Sequence, residues 1–472
     1  MLALLIPLLT ACNEPIDSVV IGSNCDCPED DSGAIADPPS DDTDTEPDTV
    51  SPDETGAPED TGDPPPSPVQ IYLLGGQSNM DGYGYVTGLP PSLQISQDDV
   101  SIYWSGRPQW SALAPSSYGT LYYGTEYFGP EVTFGRRMAD ERPDETIALI
   151  KYAIGGTDLA VCWNPGAEAS DPSMGDCYSG WLSTVRDGLE AMEDEYEVAG
   201  MIWMQGESDA YSQDYAAAYA DNLRHLIDRV REDVSADEMP FAMGIIDCID
   251  CPYREVVRAA QAEVAAESEL VMAVETEDLP QNIDNIHFDG SGMRTLGERL
   301  AGALLGDETE PATAQPAFAF SGISYSNYTG DFIVGYVFRN DEWIVLTDLG
   351  TLDYGWDGLS RDSTVVIWDV DTESIIARAS VPSDSSSPSS IWGGWRFVGI
   401  EPVDLPPGEY VIGSQVYSGS ADRYVHNAQM SAAEGLSWEE GRHANGAVVQ
   451  YPTNVSTGEA SWFGPNFLFL TL

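Results

Sequence analysis

Between Val69 and about Gly306, short apolar runs alternate with longer segments whose apolar positions recur every three or four residues. The short runs are VQIYLL, TIALIKYAI, VAGMIWM, PFAMGIID and ELVMAVE. Their length and the Gly, Pro and Asp around them predict strands. Their near-continuous apolar character predicts burial on both faces, as in a parallel sheet. The segments between them, EVTFGRRMADE, WLSTVRDGLEAMEDEY, YAAAYADNLRHLIDRVRED, REVVRAAQAEVAAES and SGMRTLGERLAGALL, read as helices. In the third, Tyr219, Leu223, Leu226, Ile227 and Val230 share one face. Strands alternating with helices predict an α/β domain over 69–306, a doubly wound parallel sheet with its site at the carboxyl ends of the strands.

From about 315 to 472 the pattern changes. FIVGYVF, STVVIWDV, SIIARASV, WRFVGI and GEYVIGSQVY are short or alternating runs with turns between them, and helical periodicity is gone. They predict an antiparallel β-sandwich accessory domain. The run TDLGTLDYGWDGLSRDSTVVIWD, followed by LPPGEYVIG, resembles a small β-sandwich module of exported bacterial proteins. Trp343, Trp356, Trp368, Trp392 and Trp395 are candidates for a sugar-binding face or for its core.

The first residues, MLALLIPLLTACNEP, form an apolar run too short to span a bilayer, ending in Leu-Thr-Ala before Cys12. This resembles a bacterial lipoprotein signal (1–12), with Cys12 the lipidated residue. The expected basic residue at the start is missing, and a plain secretory signal is the alternative. Residues 13–68 follow as an acidic Pro/Thr/Asp-rich linker. Its stretch 28–68 holds 14 acids and no base, so it is expected to stay an extended, disordered tether. The expectation is an exported protein anchored by lipid to the bacterial cell envelope, at the outer membrane or cell surface. The whole chain has 79 acids against 19 bases, a formal charge of −60. That charge argues against nucleic acid or anionic lipid as partners, and weakly against an anionic polymer as substrate.

Seven cysteines are present. With Cys12 set aside, six fall in close pairs: Cys25 with Cys27, Cys162 with Cys177, Cys248 with Cys251. An exported chain keeps disulfides, and Cys162–Cys177 closes a loop of ordinary size. The two tighter pairs are doubtful as bridges, and Cys248–Cys251 stays open as a metal or redox motif.

Four stretches fall at strand ends or just before the last helix. GGQSNM follows the first strand, GGT the second, and QGESDA the third, while DNIH precedes the last helix. Gly75 and Gly76 let the chain turn sharply, placing Ser78 at the sheet edge. In a doubly wound sheet these ends converge, so a serine, a histidine, carboxylates and amide donors meet in one cleft.

In this order the four stretches resemble the SGNH-type hydrolases, whose fold is a flavodoxin-like doubly wound sheet. They resemble more closely the carbohydrate esterases that include acetylxylan esterases of family six and sialate O-acetylesterases. Gly-Gln-Ser and Gln205, where many relatives carry Gly-Asp-Ser and Asn, point to that branch. The resemblance implies Ser78 as nucleophile and His287 as base. A serine needs a base to take its proton, and His287 can return that proton to the leaving alcohol. Asp284, three residues earlier, is the candidate to orient the ring, with Glu207 the alternative or supporting carboxylate. The Ser78 and Gly156 amides and the Gln205 side chain are candidates for the oxyanion hole. Asn79, Asp209 and Trp163 are candidate positioning residues: Asn79 tying loops, Asp209 tying loops or meeting sugar hydroxyls, Trp163 packing or stacking on a sugar ring. No cofactor and no metal is expected. The reaction expected is removal of O-acetyl groups from an oligo- or polysaccharide through an acetyl-enzyme. A lipase or thioesterase of the same fold, and a non-catalytic surface carbohydrate-binding protein, are the alternatives.

Overall fold

The central strand β1 (Val69–Gly76) is apolar and buried along almost its whole length. The computed structural model describes residues 67–471 apart from 116–125, 168–170, 308–310, 322–323, 328–329, 354–357, 384–389, 393, 419–422, 427–428 and 457–463. Cys12, Cys25, Cys27, Trp356 and all but the end of the acidic linker lie outside the described residues. Residues 65–472 make one compact unit.

Around β1 a seven-stranded sheet assembles from β2 (Gln97–Trp104), β3 (Arg107–Leu113), β4 (Ile147–Ala153), β5 (Tyr196–Met204), β6 (Phe241–Gly244) and β7 (Val271–Val274), in the order β3-β2-β4-β1-β5-β6-β7. All neighbours pair in parallel except β3, which runs antiparallel to β2 at the edge. The five expected strands are present, and in sequence order they lie 2-1-3-4-5 across the sheet. The β2–β3 hairpin was not foreseen. Its residues are half exposed, with QDDVSIYW and RPQWSAL carrying acids, arginine and glutamine between the buried positions. An edge strand needs little apolar surface, so the pattern there is weak.

Among the described residues six α-helices accompany the strands: α1 (Ser78–Asp81), α2 (Glu131–Glu141), α3 (Asp176–Glu190), α4 (Gln213–Asp233), α5 (Arg254–Ala265) and α6 (Gly290–Leu305). The face predicted on α4 is buried at Tyr219, Leu223, Leu226, Ile227 and Val230. Asp289 caps α6, its carboxylate accepting from the Ser291 and Gly292 amides, and Gly306 closes it at φ 82°. No helix among the described residues is long and apolar enough to cross a membrane.

Among the described residues the C-terminal part holds a five-stranded sheet, a six-stranded sheet and two two-stranded pairings, all antiparallel. Residues of both large sheets, including Tyr336, Phe338 and Ile412 from one and Leu346, Phe397 and Phe467 from the other, share a single apolar core. That core is separate from the one built on the parallel sheet. Trp368 and Trp395 are buried, at 2% and 4% exposure, so neither offers a face to a sugar; Trp343 is exposed on its own. Nothing is described of the Trp392 side chain.

The two parts touch at a seam. Ser92 donates from its amide (2.6 Å) and hydroxyl (3.0 Å) to Glu401. Arg294 of α6 pairs with the buried Asp348 at 2.7 Å.

Candidate active site

The first strand ends as it does because two backbones lie too close for any side chain. A Cβ on Gly76, which sits at φ 146°, would fall 2.1 Å from the Met204 carbonyl oxygen at the end of β5. Gln77 then donates from its amide to that same oxygen at 2.9 Å, and α1 starts at Ser78. Ser78 is nearly covered, at 3% exposure. The Ile154 amide donates to the Gly76 carbonyl at 3.1 Å, which sets the turn after β4, with Gly155 and Gly156, beside the end of β1. Among the described residues neither the Ser78 nor the Gly156 amide finds an acceptor. Gly156 adopts φ 72° with open space around its Cβ position. Both amides remain available to a ligand.

His287 reaches Ser78 from the loop before α6. Its Nε2 lies 2.9 Å from Ser78 Oγ, and its Nδ1 lies 2.7 Å from Asp284 Oδ2. The loop makes this possible over three residues. Asn285 takes a left-handed φ of 56°, and Asp284 Oδ1 accepts the Ile286 and His287 amides, each at 3.0 Å. Burial pushes the Asp284 carboxyl up. The side-chain and backbone hydrogen bonds from His287 outweigh it and hold the group below the usual carboxylate range. With Nδ1–H given to Asp284, Nε2 presents its lone pair to the serine. The serine, histidine and aspartate expected from the sequence are thus brought together. His225, by contrast, sits on α4 against the Gly166 carbonyl at 3.0 Å.

Glu207 does not contact His287 by hydrogen bond. Its Oε1 accepts from Asn79 Nδ2 at 2.7 Å, and Oε2 has no partner among the described residues. The orienting alternative for Glu207 is therefore corrected: Asp284 occupies that place. Burial drives the Glu207 carboxyl up, with the Asn79 hydrogen bond opposing. Asn79 also donates to Ile286 O (3.0 Å) and accepts the Phe288 amide (3.1 Å). It ties the serine turn to the histidine loop.

Gln205 requires a second correction. Its amide nitrogen points to Asp209 Oδ2 (2.7 Å), Thr157 O (3.0 Å) and Gln77 Oε1 (3.3 Å). Three acceptors claim its two hydrogens, so no donor is left for an oxyanion, and the side chain bridges strand ends. Asp209 is fully buried and accepts the Leu159 (2.8 Å) and Ala160 (3.2 Å) amides as well as Gln205. It holds loops and cannot meet sugar hydroxyls. Burial raises its carboxyl to about 6, against the pull of these donors. Trp163 is 1% exposed, edge-on to Trp203 at 5.0 Å, with its Nε1–H given to Thr157 Oγ1 at 2.9 Å. It packs, and stacks on no ligand.

Both intact cysteine pairs of the domain are bridged. Cys162–Cys177 has a Cα separation of 5.0 Å and Cys248–Cys251 one of 5.5 Å. The doubt about the tighter pair is overturned, because the turn at 248–251 brings its Cα atoms within ordinary disulfide range. That turn also supports the histidine loop: the Ile249 amide donates to Asn285 O at 3.3 Å, and Gln281 donates to Asp247. Among the described residues no cluster of acids, histidines or cysteines has the makings of a metal site.

Two features escaped the sequence reading. Lys151, a lone cation in the apolar β4, is buried against Glu131 Oε2 (2.6 Å) and donates to Asp81 O at the end of α1 (2.9 Å). A charge inside an otherwise apolar strand is the signal that marks it. The Tyr83 ring stacks on His287, with centroids 3.6 Å apart and planes 3° from parallel. Its only trace in the sequence is an aromatic residue between two glycines shortly after the serine.

Compared with known proteins, residues 68–306 match the family described as carbohydrate esterase, sialic acid-specific acetylesterase. A probable carbohydrate esterase of Arabidopsis thaliana is 26% identical over 256 residues, covering 51% of this chain and 92% of that protein. A solved structure of an Arabidopsis thaliana protein superposes with a TM-score of 0.43 and 23% identity, over 52% of this chain and 100% of that one. A carbohydrate acetylesterase of Xanthomonas citri gives a TM-score of 0.40 and 16% identity, over 72% and 80% of the two chains.

Proposed function

This chain belongs to the sialic acid-specific acetylesterase family of carbohydrate esterases, hydrolases of ester bonds, and from that premise we propose that it removes O-acetyl groups from a glycan by serine catalysis. The observation that carries the reading is the continuous Ser78–His287–Asp284 contact, 2.9 and 2.7 Å between heavy atoms. His287 Nε2 takes the Ser78 hydroxyl proton as Oγ attacks the acetyl carbonyl. The carbonyl oxygen becomes an oxyanion, which the Ser78 and Gly156 amides are free to receive. One such donor is typically worth roughly 2.7–4 kcal/mol of barrier. The tetrahedral intermediate collapses, His287 passes the proton to the departing sugar oxygen, and Ser78 is left acetylated. Water attacks that ester, giving its proton to His287. Acetate leaves and the proton returns to Ser78.

We read the 2-1-3-4-5 strand order as the doubly wound SGNH arrangement over 69–306, and the two facing antiparallel sheets as a β-sandwich accessory domain over 315–472. The Leu-Thr-Ala-Cys run at Cys12 and the acidic segment after it support export and lipid anchoring to the bacterial envelope, with the enzyme held off the membrane. The substrate is an acetylated oligo- or polysaccharide.

The test is acetate release from acetylated xylan, mannan, pectin, sialic acid and peptidoglycan by the wild type and by Ser78→Ala and His287→Ala. Both variants should be inactive. Wild-type turnover in either would end the reading. A preference for 4-nitrophenyl octanoate over the acetate would instead mark a lipase or thioesterase. Binding of glycan with no reaction toward a fluorophosphonate would mark a dead lectin-like surface protein.

A further inference from the structure

We infer that Tyr83 is a positioning residue for the histidine, holding the imidazole in plane and covering the positive charge it acquires. The inference rests on the proposed role of His287 as base.

The two hydrogen bonds of His287 lie in the plane of its ring, to Asp284 at Nδ1 and to Ser78 at Nε2. Neither in-plane contact strongly resists tilting of the ring out of that plane about its Cβ–Cγ bond. A flat surface against the ring face stops that motion. Tyr83 supplies it, at 3.6 Å between centroids and 3° between planes. When the serine proton reaches Nε2 the ring becomes an imidazolium, and the negative face of the phenol lies over it. The contact is therefore stronger after proton transfer than before, which is the condition for a rate effect.

The local sequence is built to hold Tyr83 there. It sits in Asp81-Gly82-Tyr83-Gly84. A Cβ on Gly82, at φ 122°, would lie 2.6 Å from the Gly129 amide nitrogen. A Cβ on Gly84 would lie 2.7 Å from the Phe128 ring. The chain is pressed against residues 128–129 on both sides of the tyrosine, so its backbone has little freedom. The Tyr127 ring packs against it at 6.0 Å, with rings inclined by 52°. On α1's other flank the buried Lys151 grips Asp81 O at 2.9 Å. The segment that carries the serine thus also delivers the cover for the histidine.

The experiment compares Tyr83→Phe, which keeps the flat ring, with Tyr83→Leu and Tyr83→Met, which fill similar space without it. Steady-state kcat and KM are measured on 4-nitrophenyl acetate, with melting curves to check folding. The leucine and methionine variants should lose roughly tenfold in kcat at little changed KM, while phenylalanine stays within about twofold of wild type. Two non-aromatic variants guard against one failing to fold. Wild-type kcat in a folded non-aromatic variant, with His287→Ala inactive, would overturn the role of Tyr83 alone. Equal loss in all three, phenylalanine included, would also overturn it, because the ring face would then not be the operative feature. An active His287→Ala would instead take down the reading of the site on which this rests.

Discussion

Replacing Asp284 by Asn should cripple the enzyme, and replacing Glu207 by Gln should not. Asp284 faces His287 Nδ1 at 2.7 Å. When the imidazolium forms, two unit charges lie about 4 Å apart between centres, worth roughly 4 kcal/mol at an effective dielectric near 20. The Asp284 side chain is 42% exposed, so solvent screens part of this, leaving about 2–3 kcal/mol. That alone is roughly a 30- to 150-fold fall in kcat. An amide in this place can also turn its N–H₂ toward Nδ1 and favour the wrong tautomer, which deepens the loss. Glu207 touches Asn79 with one oxygen and nothing described with the other. Glutamine keeps the oxygen that accepts from Asn79 and touches no reacting atom, so kcat should change less than about threefold, while its buried unpaired amide is expected to cost roughly 1–3 kcal/mol of stability instead. The assay is initial-rate hydrolysis of 4-nitrophenyl acetate by both variants at matched folded fraction. If Glu207→Gln is as damaging as Asp284→Asn, or Asp284→Asn stays within threefold of wild type, the assignment of the orienting carboxylate is wrong.

Removing the Cys162–Cys177 bridge by a double serine substitution should cost about 3 kcal/mol, the loop entropy of its 15-residue separation; denaturant melts read this, and a loss under 1 kcal/mol would contradict it. Asp209 has its folded-state pKa raised by burial to about 6, so the fold holds its proton more tightly than the unfolded chain does. Its stabilising contribution is full below the ordinary aspartate range and is lost as pH rises through about 6, so the melting temperature of wild type should fall more between pH 4 and 7 than that of Asp209→Asn. Arg294→Met leaves the Asp348 carboxylate, 1% exposed, buried without its cation and should cost roughly 3–5 kcal/mol. Adding Asp348→Leu should recover most of that in a double-mutant cycle by chemical denaturation.

The parts of the site that the sequence exposes are those where backbone geometry dictates the residue. Gly76 is forced by the Met204 carbonyl 2.1 Å from where its Cβ would lie, and such a constraint shows as Gly-Gly after an apolar run. Asp284 and His287 sit three apart because one short turn joins them, so their pairing is local. What stayed hidden is what depends on partners far along the chain. Gln205 looked like a free donor because its acceptors on Thr157 and Gln77 come from other strand ends, 48 and 128 residues away. Trp163 looked available to a sugar because nothing local reveals that Trp203 lies edge-on beside it. The β2–β3 hairpin was invisible for a different reason: β3 is an edge strand, and the acids and polar residues between the buried positions of β2 break its apolar run. Tyr83 needed both kinds of knowledge, its own glycine-flanked turn and a histidine 204 positions on.

The C-terminal sheets pack against the part that carries the site. They meet the parallel-sheet part at two segments that adjoin the site. One is the stretch after Tyr85, where Ser92 is held by Glu401 and where a Cβ on Gly399 would lie 2.6 Å from the Gly88 carbonyl oxygen. The other is α6, whose Arg294 is held by Asp348 a few residues after His287. Both are packed within their own part as well, Met293, Leu296 and Leu300 of α6 lying in the core of the parallel sheet and Gly82 and Gly84 being pressed against residues 128–129. Contacts from a second core restrain them at their far ends. The C-terminal contacts thus add to the restraint on the two chain segments that carry Tyr83 and follow His287.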